Sequence, residues 1–390
     1  MKSGWKTCPL VEVLTFQRGF DITKREQREG LYKVISSSGP KSTHAEYKVK
    51  GPGVVIGRKG TLGSVFYTED NYWPHDTSLW IKDFHGSDPK FAYYFLQTMG
   101  FEKLDVGAAN PSLNRNHIHT IPVHYPDLPT QRKIAGILSA YDDLIENNLR
   151  RIKILEEMAQ SLYREWFVHF RFPGHESTPM VDSPLGPIPK GWKSTNIKAL
   201  IESGFATLQT GPFGTQLKAA EYVEDGTPVI NVRNIGDGRL RPEKLEYLAD
   251  SKVVELHRHT LKAADIVFGR KGAVERHLLV SEDESGWVQG SDCIRLRLVG
   301  SPVSTQYLSI SFREVSHQRW MMNQCSGGAT MASLNQDILG RIPVLVPPNE
   351  ISIAFDKFSR NTIAEATNLH RRNETLRRTR DLLLPKLLST

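Results

Sequence analysis

Residues 112–123 have the sequence SLNRNHIHTIPV, and residues 333–344 repeat its outline as SLNQDILGRIPV. Two shorter repeats come earlier in the same order, Gly-Trp-Lys at residues 4–6 and 191–193 and Gly-Arg-Lys-Gly at residues 57–60 and 269–272. The separation between partners grows along the chain, so the second copy carries insertions near its front. Ordered repeats across both halves indicate two copies of one domain.

Each copy has the same plan: short β-branched and aromatic runs, a proline-rich stop and then a long helix. Apolar runs on both sides of each Gly-Arg-Lys-Gly predict two paired strands joined by a turn. The stretch between the copies is rich in proline and glycine, which predicts an extended linker. The predicted boundaries are a first domain at residues 1–129, a first helix at 130–167, the linker at 168–191, a second domain at 192–350 and a second helix at 351–390.

The first helix carries a heptad seam, in which spacings of four and three residues alternate. A weaker seam follows in the second helix, and Pro385 should end or kink that helix near its last turn. Two helices that lie on their own domains are the alternative, but they would not need so narrow and long a stripe. The pattern favours a coiled coil. The first seam consists of Ile134, Leu138, Tyr141, Ile145, Asn148, Ile152, Leu155, Ala159, Leu162 and Trp166.

Asn148 and Asn373 suggest how the two seams face each other. Each seam contains one asparagine, whose amide would be unsatisfied against apolar side chains, whereas two facing asparagines can bond to each other. If the helices are antiparallel, placing Asn148 opposite Asn373 also places Trp166 opposite Phe355. This is the predicted register.

Composition narrows the class of protein. Of the 390 residues, 39% are hydrophobic and 24% charged, as in folded domains. Three distant cysteines without a CxxC spacing argue against a disulfide scaffold and a zinc ribbon. The absence of a long apolar run and of a signal-peptide core argues against a membrane protein and favours the reducing cytoplasm. The net charge of +7 suits a nucleic-acid partner without requiring one.

Further motifs match a known family. Two variable domains, each followed by a similar long helix, resemble the specificity subunit of type I restriction–modification enzymes, and the resemblance covers nearly the whole chain. Copy one departs from it by having QRGF in place of GPFG, and copy two by having PPNE in place of the PTQ that opens the first helix. Besides the repeats, the matching motifs are LPTQR at residues 128–132, PIPKGW at 187–192, TGPFG at 210–214 and LLLPKLL at 382–388.

The resemblance implies an α+β fold: two tandem mixed α/β target recognition domains, each followed by a long helix, with the helices pairing as an antiparallel coiled coil. It implies a non-catalytic subunit in which each domain reads one half of a split target in double-stranded DNA and the helices act as a ruler. Two modification methyltransferase subunits would dock on it and methylate adenine with S-adenosylmethionine. A motor-nuclease subunit is an optional further partner in such phage-defence systems.

Absent motifs agree with this interpretation. The chain has no Asn/Asp-Pro-Pro-aromatic run for adenine methylation and no GxxxxGK[ST] loop for ATP. Two His-x-His pairs, at residues 117–119 and 257–259, lack further ligands at metal spacing, so we interpret them as surface histidines. We therefore assign no catalytic residue, metal site or cofactor.

The two Gly-Arg-Lys-Gly turns are the first candidates for DNA contact. Arg58 with Lys59, and Arg270 with Lys271, can present their charges at a turn tip to phosphate oxygens, and an arginine can also donate to guanine O6 and N7. Solvated hairpin tips are the alternative. Because the turns recur in both copies, backbone positioning is favoured over base reading, which belongs where the copies differ.

The remaining candidates lie where the copies differ. Asn114 and Asn335 are favoured as helix N-caps, which leaves the residue after each as the candidate contact. Strand alternation after an apolar run of copy two would put two polar side chains on one face, which suits a DNA groove and a polar sheet face equally. The candidates are Arg115 and Gln336 after the caps, Gln216 and Lys218 after GPFG, and Asn231 and Arg233 on that alternating face.

Three alternatives stay open at the level of the sequence. They are a specificity subunit of a related phage-defence methylation system, a DNA enzyme with an unrecognised site, and a coiled-coil scaffold that binds only protein. Activity of the isolated chain with a metal or methyl donor would identify the enzyme. Salt dependence of DNA binding separates a phosphate-binding protein from the scaffold.

Overall fold

The computed structural model describes residues 4–104, 112–325 and 332–388 and divides the chain into two compact units. Unit 1 consists of Met1–Arg150 and Leu369–Thr390, and unit 2 consists of Arg151–Asn368. Each unit holds one copy of the repeat and a part of both long helices. The sequence predicted domain boundaries at the starts of the two long helices. The two units instead divide in the middle of these helices, because one part of each helix packs on the core of unit 1 and the other part on the core of unit 2.

Unit 1 is built on two sheets and a separate strand pair. Its strands are β1 (Trp5–Pro9), β2 (Thr15–Arg18), β3 (Tyr32–Ser36), β4 (Gly39–His44), β5 (Gly53–Gly57), β6 (Val65–Thr68), β7 (Tyr72–Pro74), β8 (Ser78–Asp83) and β9 (Pro122–Pro126). Its helices are α1 (Pro89–Gln97), α2 (Arg115–His119), the first part of α3 (Leu128–Tyr163) and the last part of α9 (Asn349–Leu388). One sheet has the order β2-β8-β5-β6, the other has the order β4-β3-β7, and β1 pairs with β9.

Unit 2 has larger versions of the same sheets. Its strands are β10 (Met180–Val181), β11 (Ile188–Pro189), β12 (Lys193–Asn196), β13 (Ala206–Thr210), β14 (Tyr222–Val223), β15 (Thr227–Ile230), β16 (Asp237–Gly238), β17 (Glu246–Leu248), β18 (Ile266–Gly269), β19 (His277–Leu279), β20 (Val288–Gln289), β21 (Cys293–Leu298) and β22 (Pro343–Val346). Its helices are the last part of α3, α4 (Ile197–Glu202), α5 (Asp250–Glu255), α6 (Thr305–Phe312), α7 (Val315–Cys325), α8 (Gln336–Gly340) and the first part of α9 (Asn349–Leu388). The sheet orders are β13-β21-β18-β19-β16 and β14-β17-β15-β20, and β12 pairs with β22.

The duplication extends to the strand order. The order β2-β8-β5-β6 of unit 1 corresponds to β13-β21-β18-β19 of unit 2, and β4-β3-β7 corresponds to β17-β15-β20. Both smaller sheets contain one parallel pair, β3 with β7 and β15 with β20. The strands predicted on either side of each Gly-Arg-Lys-Gly pair antiparallel, as β5 with β6 and β18 with β19. Unit 2 adds β14 and β16 at its sheet edges, in line with the insertions expected there.

The long helices begin and end close to their predicted limits. α3 spans Leu128–Tyr163 and continues as a π-helical turn at Arg164–Val168, and α9 spans Asn349–Leu388. Pro385 lies inside α9, in the last turn that the structure describes, and four leucines of the last turns, at positions 383, 384, 387 and 388, pack on the core of unit 1. In the parts of the chain described above, no helix is both long and apolar enough to cross a membrane.

α3 and α9 pair antiparallel within each unit. In unit 1, Asn148 Nδ2 donates to Asn373 Oδ1 at 2.9 Å, and an ion pair joins Asp142 to Arg380. In unit 2, Arg151 pairs with Glu365 at 3.1 Å, and the ring centroids of Trp166 and Phe355 lie 6.3 Å apart. In these contacts, higher residue numbers in α3 pair with lower residue numbers in α9, so the two helices run antiparallel. The seam residues of both helices are buried or half-buried, and the two seams face each other in each unit.

The segment at residues 168–191 is not the extended linker that its prolines and glycines predicted. β10 and β11 pair antiparallel within it. Phe172 and Ile188 are buried in the core of unit 2, next to Trp192. Burying these large side chains favours a folded segment, and the count of prolines and glycines did not take them into account.

Candidate nucleic-acid interface

In unit 1, two other backbone segments hold the Gly-Arg-Lys-Gly turn after β5. The N–H groups of Arg58 and Lys59 donate to the Thr77 carbonyl oxygen at 2.9 and 3.0 Å. The Arg58 carbonyl accepts the N–H of Leu113 at 2.9 Å, and Lys59 forms a β-bridge with Ser112. Two motifs that are distant in sequence thus meet in space.

Unit 2 repeats this arrangement. Arg270 donates its backbone N–H to the Asp292 carbonyl at 2.8 Å and accepts the N–H of Leu334 at 2.8 Å, and Lys271 forms a β-bridge with Ser333. We call the arrangement the backbone frame. It comprises residues 58–59, 75–77 and 112–113 in unit 1 and residues 270–271, 290–292 and 333–334 in unit 2.

One glycine in each unit packs tightly against the frame. A Cβ on Gly19 would lie 2.1 Å from the His75 carbonyl oxygen, and one on Gly211 would lie 1.9 Å from that of Gly290. Neither position has room for a side chain. Gly19 therefore occupies the place of Gly211, so copy one keeps the essential glycine although it lacks the GPFG motif.

The loops at residues 75–77 and 290–292 were not among the sequence candidates. Their side chains differ between the copies, and their role in the frame depends on backbone carbonyls. One shared signal precedes them: a tryptophan lies shortly before each loop, Trp73 two residues before residue 75 and Trp287 three residues before residue 290. That signal could have identified the loops but not their contacts.

The arginines of the turns lie at strand ends, not at exposed tips as predicted. Arg58 is half-buried and donates from Nη1 to the Asp76 carbonyl at 3.3 Å. Arg270 is also half-buried, and its Nε is enclosed with no hydrogen-bond partner among the residues described. Lys59 is exposed, and Lys271 pairs with a frame-loop carboxylate at 3.5 Å. The lysines are therefore the more accessible charges of the turns.

Asn114 and Asn335 cap α2 and α8, as predicted. Their side-chain oxygens accept backbone N–H groups at 3.0 and 2.8 Å. The residues after them, Arg115 and Gln336, are exposed. Gln336 Nε2 donates to Thr210 Oγ1 at 2.8 Å. The same backbone thus presents different side chains in the two units.

The other candidates of copy two lie on two turns. Gln216 and Lys218 are exposed after the GPFG motif. The predicted strand alternation at Asn231 and Arg233 is wrong, because β15 has ended and a 3-10 turn follows it. Both side chains contact Glu246 instead, at 2.6 and 3.2 Å. This carboxylate offsets the charge of Arg233 and makes that arginine less suited to a phosphate.

Two histidines interpreted as surface residues have structural roles. His119 Nε2 accepts the backbone N–H of Phe16 at 2.9 Å, and burial together with nearby Arg115 lowers its pKa. His259 is buried, and that burial lowers its pKa too. In both cases the lowered pKa favours the neutral ring. Across the residues that the structure describes, no group of three or more His, Cys, Asp or Glu side chains could hold a metal ion.

Comparison with known proteins agrees with this geometry. Residues 2–157 match the family described as type I restriction modification DNA specificity domain. The MjaIX specificity subunit of Methanocaldococcus jannaschii is 22% identical over 311 residues, or 77% of this chain and 68% of that protein. The HindI specificity subunit of Haemophilus influenzae is 21% identical over 334 residues, or 72% and 71%. The crystal structure of an S subunit from M. genitalium has the same fold, with a TM-score of 0.66 at 16% identity over 100% of this chain and 98% of that one.

Two related domains built on one frame, each joined to paired long helices, make up this fold, and the S subunit from M. genitalium shares it. The first part of the chain matches the type I restriction modification DNA specificity domain, and most of the chain is similar to type I restriction enzyme specificity subunits. The matching family is named for DNA specificity, and both relatives are named as specificity subunits. These names make the frame, with the side chains that it presents, a candidate DNA-binding surface.

Proposed function

We propose that the chain reads a bipartite target in double-stranded DNA, with one half-site for each unit. The observation that carries this proposal is the backbone frame, which occurs once in each unit. In both units the arginine N–H donates to the loop carbonyl, and the arginine carbonyl accepts a leucine N–H. The frame sets equivalent positions in space, and different residues occupy them in the two copies. A shared backbone that presents different side chains suits two related domains that bind different base sequences.

The paired helices act as a ruler in this proposal. α3 and α9 face each other antiparallel in each unit, and the contact between Asn148 and Asn373 ties their register. A coiled coil of fixed register keeps the number of helical turns between two points constant. It would therefore set the number of unread base pairs between the half-sites.

Two modification methyltransferase subunits would dock on the long helices and methylate adenine, with a motor-nuclease subunit as an optional further partner. Exposed apolar side chains on α3 support this role. In unit 1, Leu144 is 51% exposed and Ile137 lies one heptad before it. In unit 2, Ile154 is 56% exposed and Met158 lies one turn after it. Partner subunits would remove these side chains from water.

The test is to map methylated adenines in host cells with and without the gene. We expect one split motif, with two defined half-sites and a spacer of constant length, to lose methylation when the gene is deleted. Unchanged methylation in the deletion strain would contradict the proposal. Methyl transfer or DNA cleavage by the purified chain alone would contradict the non-catalytic role.

A further inference from the structure

Gln336 and Thr210 form a side-chain pair at the frame of unit 2. Gln336 is exposed and Thr210 half-buried, and the Gln336 Nε2 donates to the Thr210 Oγ1 at 2.8 Å. A carboxamide has two donor hydrogens and one acceptor oxygen. The bond to Thr210 uses one hydrogen, so one hydrogen and the oxygen can serve a ligand.

Backbone contacts fix both ends of this pair. Thr210 is the last residue of β13, which pairs with β21, and Gly211 after it packs directly against the frame loop. Gln336 is the first residue of α8, behind the Asn335 cap and the fully buried Leu334. The plane of the carboxamide is therefore oriented before a ligand arrives. Such preorganisation is what a two-bond contact requires.

The remaining hydrogen and oxygen match one base edge. In the major groove, adenine offers the N7 acceptor beside the N6–H donor, which pairs with a glutamine carboxamide through two hydrogen bonds. Guanine offers two acceptors there and would leave the glutamine oxygen without a donor. In copy one, Arg18 and Arg115 occupy the places of Thr210 and Gln336, and arginine suits guanine instead.

We propose that Gln336 reads an adenine in the half-site of the second domain and that Thr210 is the positioning residue that orients its carboxamide. This inference rests on the proposed function and adds the base to be recognised. Thr210 does not touch DNA in this arrangement. Its effect is on how well one base pair is distinguished.

The first test maps methylated motifs in host cells that express variants of the full chain. Gln336→Glu replaces the donor with an acceptor that suits cytosine N4, so one position of one half-site should change from adenine to cytosine. Thr210→Val should weaken the preference for adenine there roughly tenfold, and Thr210→Ser should retain it. Gln97→Glu makes the same chemical change on α1 of unit 1 and should leave the motif unchanged.

The second test measures binding of the purified complex to duplexes that carry 7-deazaadenine, which lacks N7, at each adenine of that half-site in turn. One substitution should weaken binding of the wild type roughly tenfold and have no effect on Gln336→Ala. Thermal unfolding of each variant separates loss of folding from loss of reading.

The outcomes separate this inference from the proposed function. The inference alone would be overturned if Gln336→Glu left the motif unaltered. It would also be overturned if 7-deazaadenine weakened binding equally in the wild type and in Gln336→Ala. Absence of any split motif in wild-type cells would overturn the proposed function and this inference with it.

Discussion

Arg58 and Arg270 occupy equivalent places, with their carbonyls bonded in the same way in both units. Replacing Arg58 and Lys59 together with alanine should weaken binding to all duplexes, because bonds to phosphate carry no sequence information. The slope of log K against log salt should fall by about 1 for each phosphate that the variant no longer neutralises. Titrations at several salt concentrations, on target and scrambled duplexes, measure both effects.

The double alanine variant of Arg270 and Lys271 should behave in the same way. Lys198→Ala, on α4 and outside the frame, is the control and should keep the wild-type slope. If the frame variants also keep the wild-type salt slope, the two Gly-Arg-Lys-Gly turns are solvated turns without a role in DNA binding.

The asparagine pair allows a stability prediction at the same scale. Asn373 is fully buried and receives a hydrogen bond from Asn148. Asn148→Leu leaves the buried side-chain oxygen of Asn373 without this donor and should cost about 1–3 kcal/mol of the free energy of unfolding. The double variant with leucine at both positions should recover most of this loss, because it removes both amides. Chemical denaturation of the wild type, the two single leucine variants and the double variant gives the four free energies of unfolding for a double-mutant cycle. Strictly additive losses would argue against a coupled pair.

Residues whose roles depend on near neighbours in sequence were predictable. The caps at Asn114 and Asn335 follow from an asparagine placed just before a short helix. Gly19 was different, because its tight fit against His75 comes from a segment more than fifty residues away. No local pattern reveals such an approach, and the frame as a whole was missed for the same reason.

At the scale of elements, the sequence predicted what is periodic. The seam of α3 was visible because a heptad repeat is a property of one segment. The segment at residues 168–191 was misread because prolines and glycines describe backbone preference and not burial. Phe172 and Ile188 pack into unit 2 through contacts with distant elements, which segment composition does not encode.

This packing can be tested by truncating one side chain. Phe172→Ala should destabilise unit 2 by about 3–5 kcal/mol, because it removes a buried aromatic ring from a close-packed core. Met180→Ala, in the same segment but exposed, should change stability by less than about 0.5 kcal/mol. Thermal or denaturant unfolding compares the two. Equal small effects would restore the interpretation as a linker.

The paired helices yield a prediction about spacing. Seven residues inserted between Asn148 and Ile152 of α3, and seven between Leu369 and Asn373 of α9, should preserve the seam. They add about 10 Å at ~1.5 Å per residue, and the unread spacer should grow by about three base pairs at ~3.4 Å each. Motif mapping measures the spacer. An insertion in α3 alone breaks the register and should abolish methylation, and an unchanged spacer after the double insertion would refute the ruler.

At the scale of the whole molecule, the duplication predicts independent half-sites. Exchanging residues 1–129 for the matching domain of another specificity subunit should alter one half of the methylated motif and leave the other half and the spacer intact. The physical reason is that each frame is closed by hydrogen bonds within its own unit. Mapping the methylated motif of the chimaera tests this prediction. A change in both halves of the motif would mean that the two domains do not recognise their half-sites independently.

The division of the chain also has a consequence for its synthesis. Unit 1 includes Leu369–Thr390, yet a ribosome makes all of unit 2 before it reaches that segment. At ~5–20 residues per second, the first domain waits on the order of tens of seconds for the leucines that cover its core. During that time its apolar surface is open to other nascent chains. Slow or interrupted translation should therefore favour aggregation of the first domain more than of the second, which is complete before α9 ends.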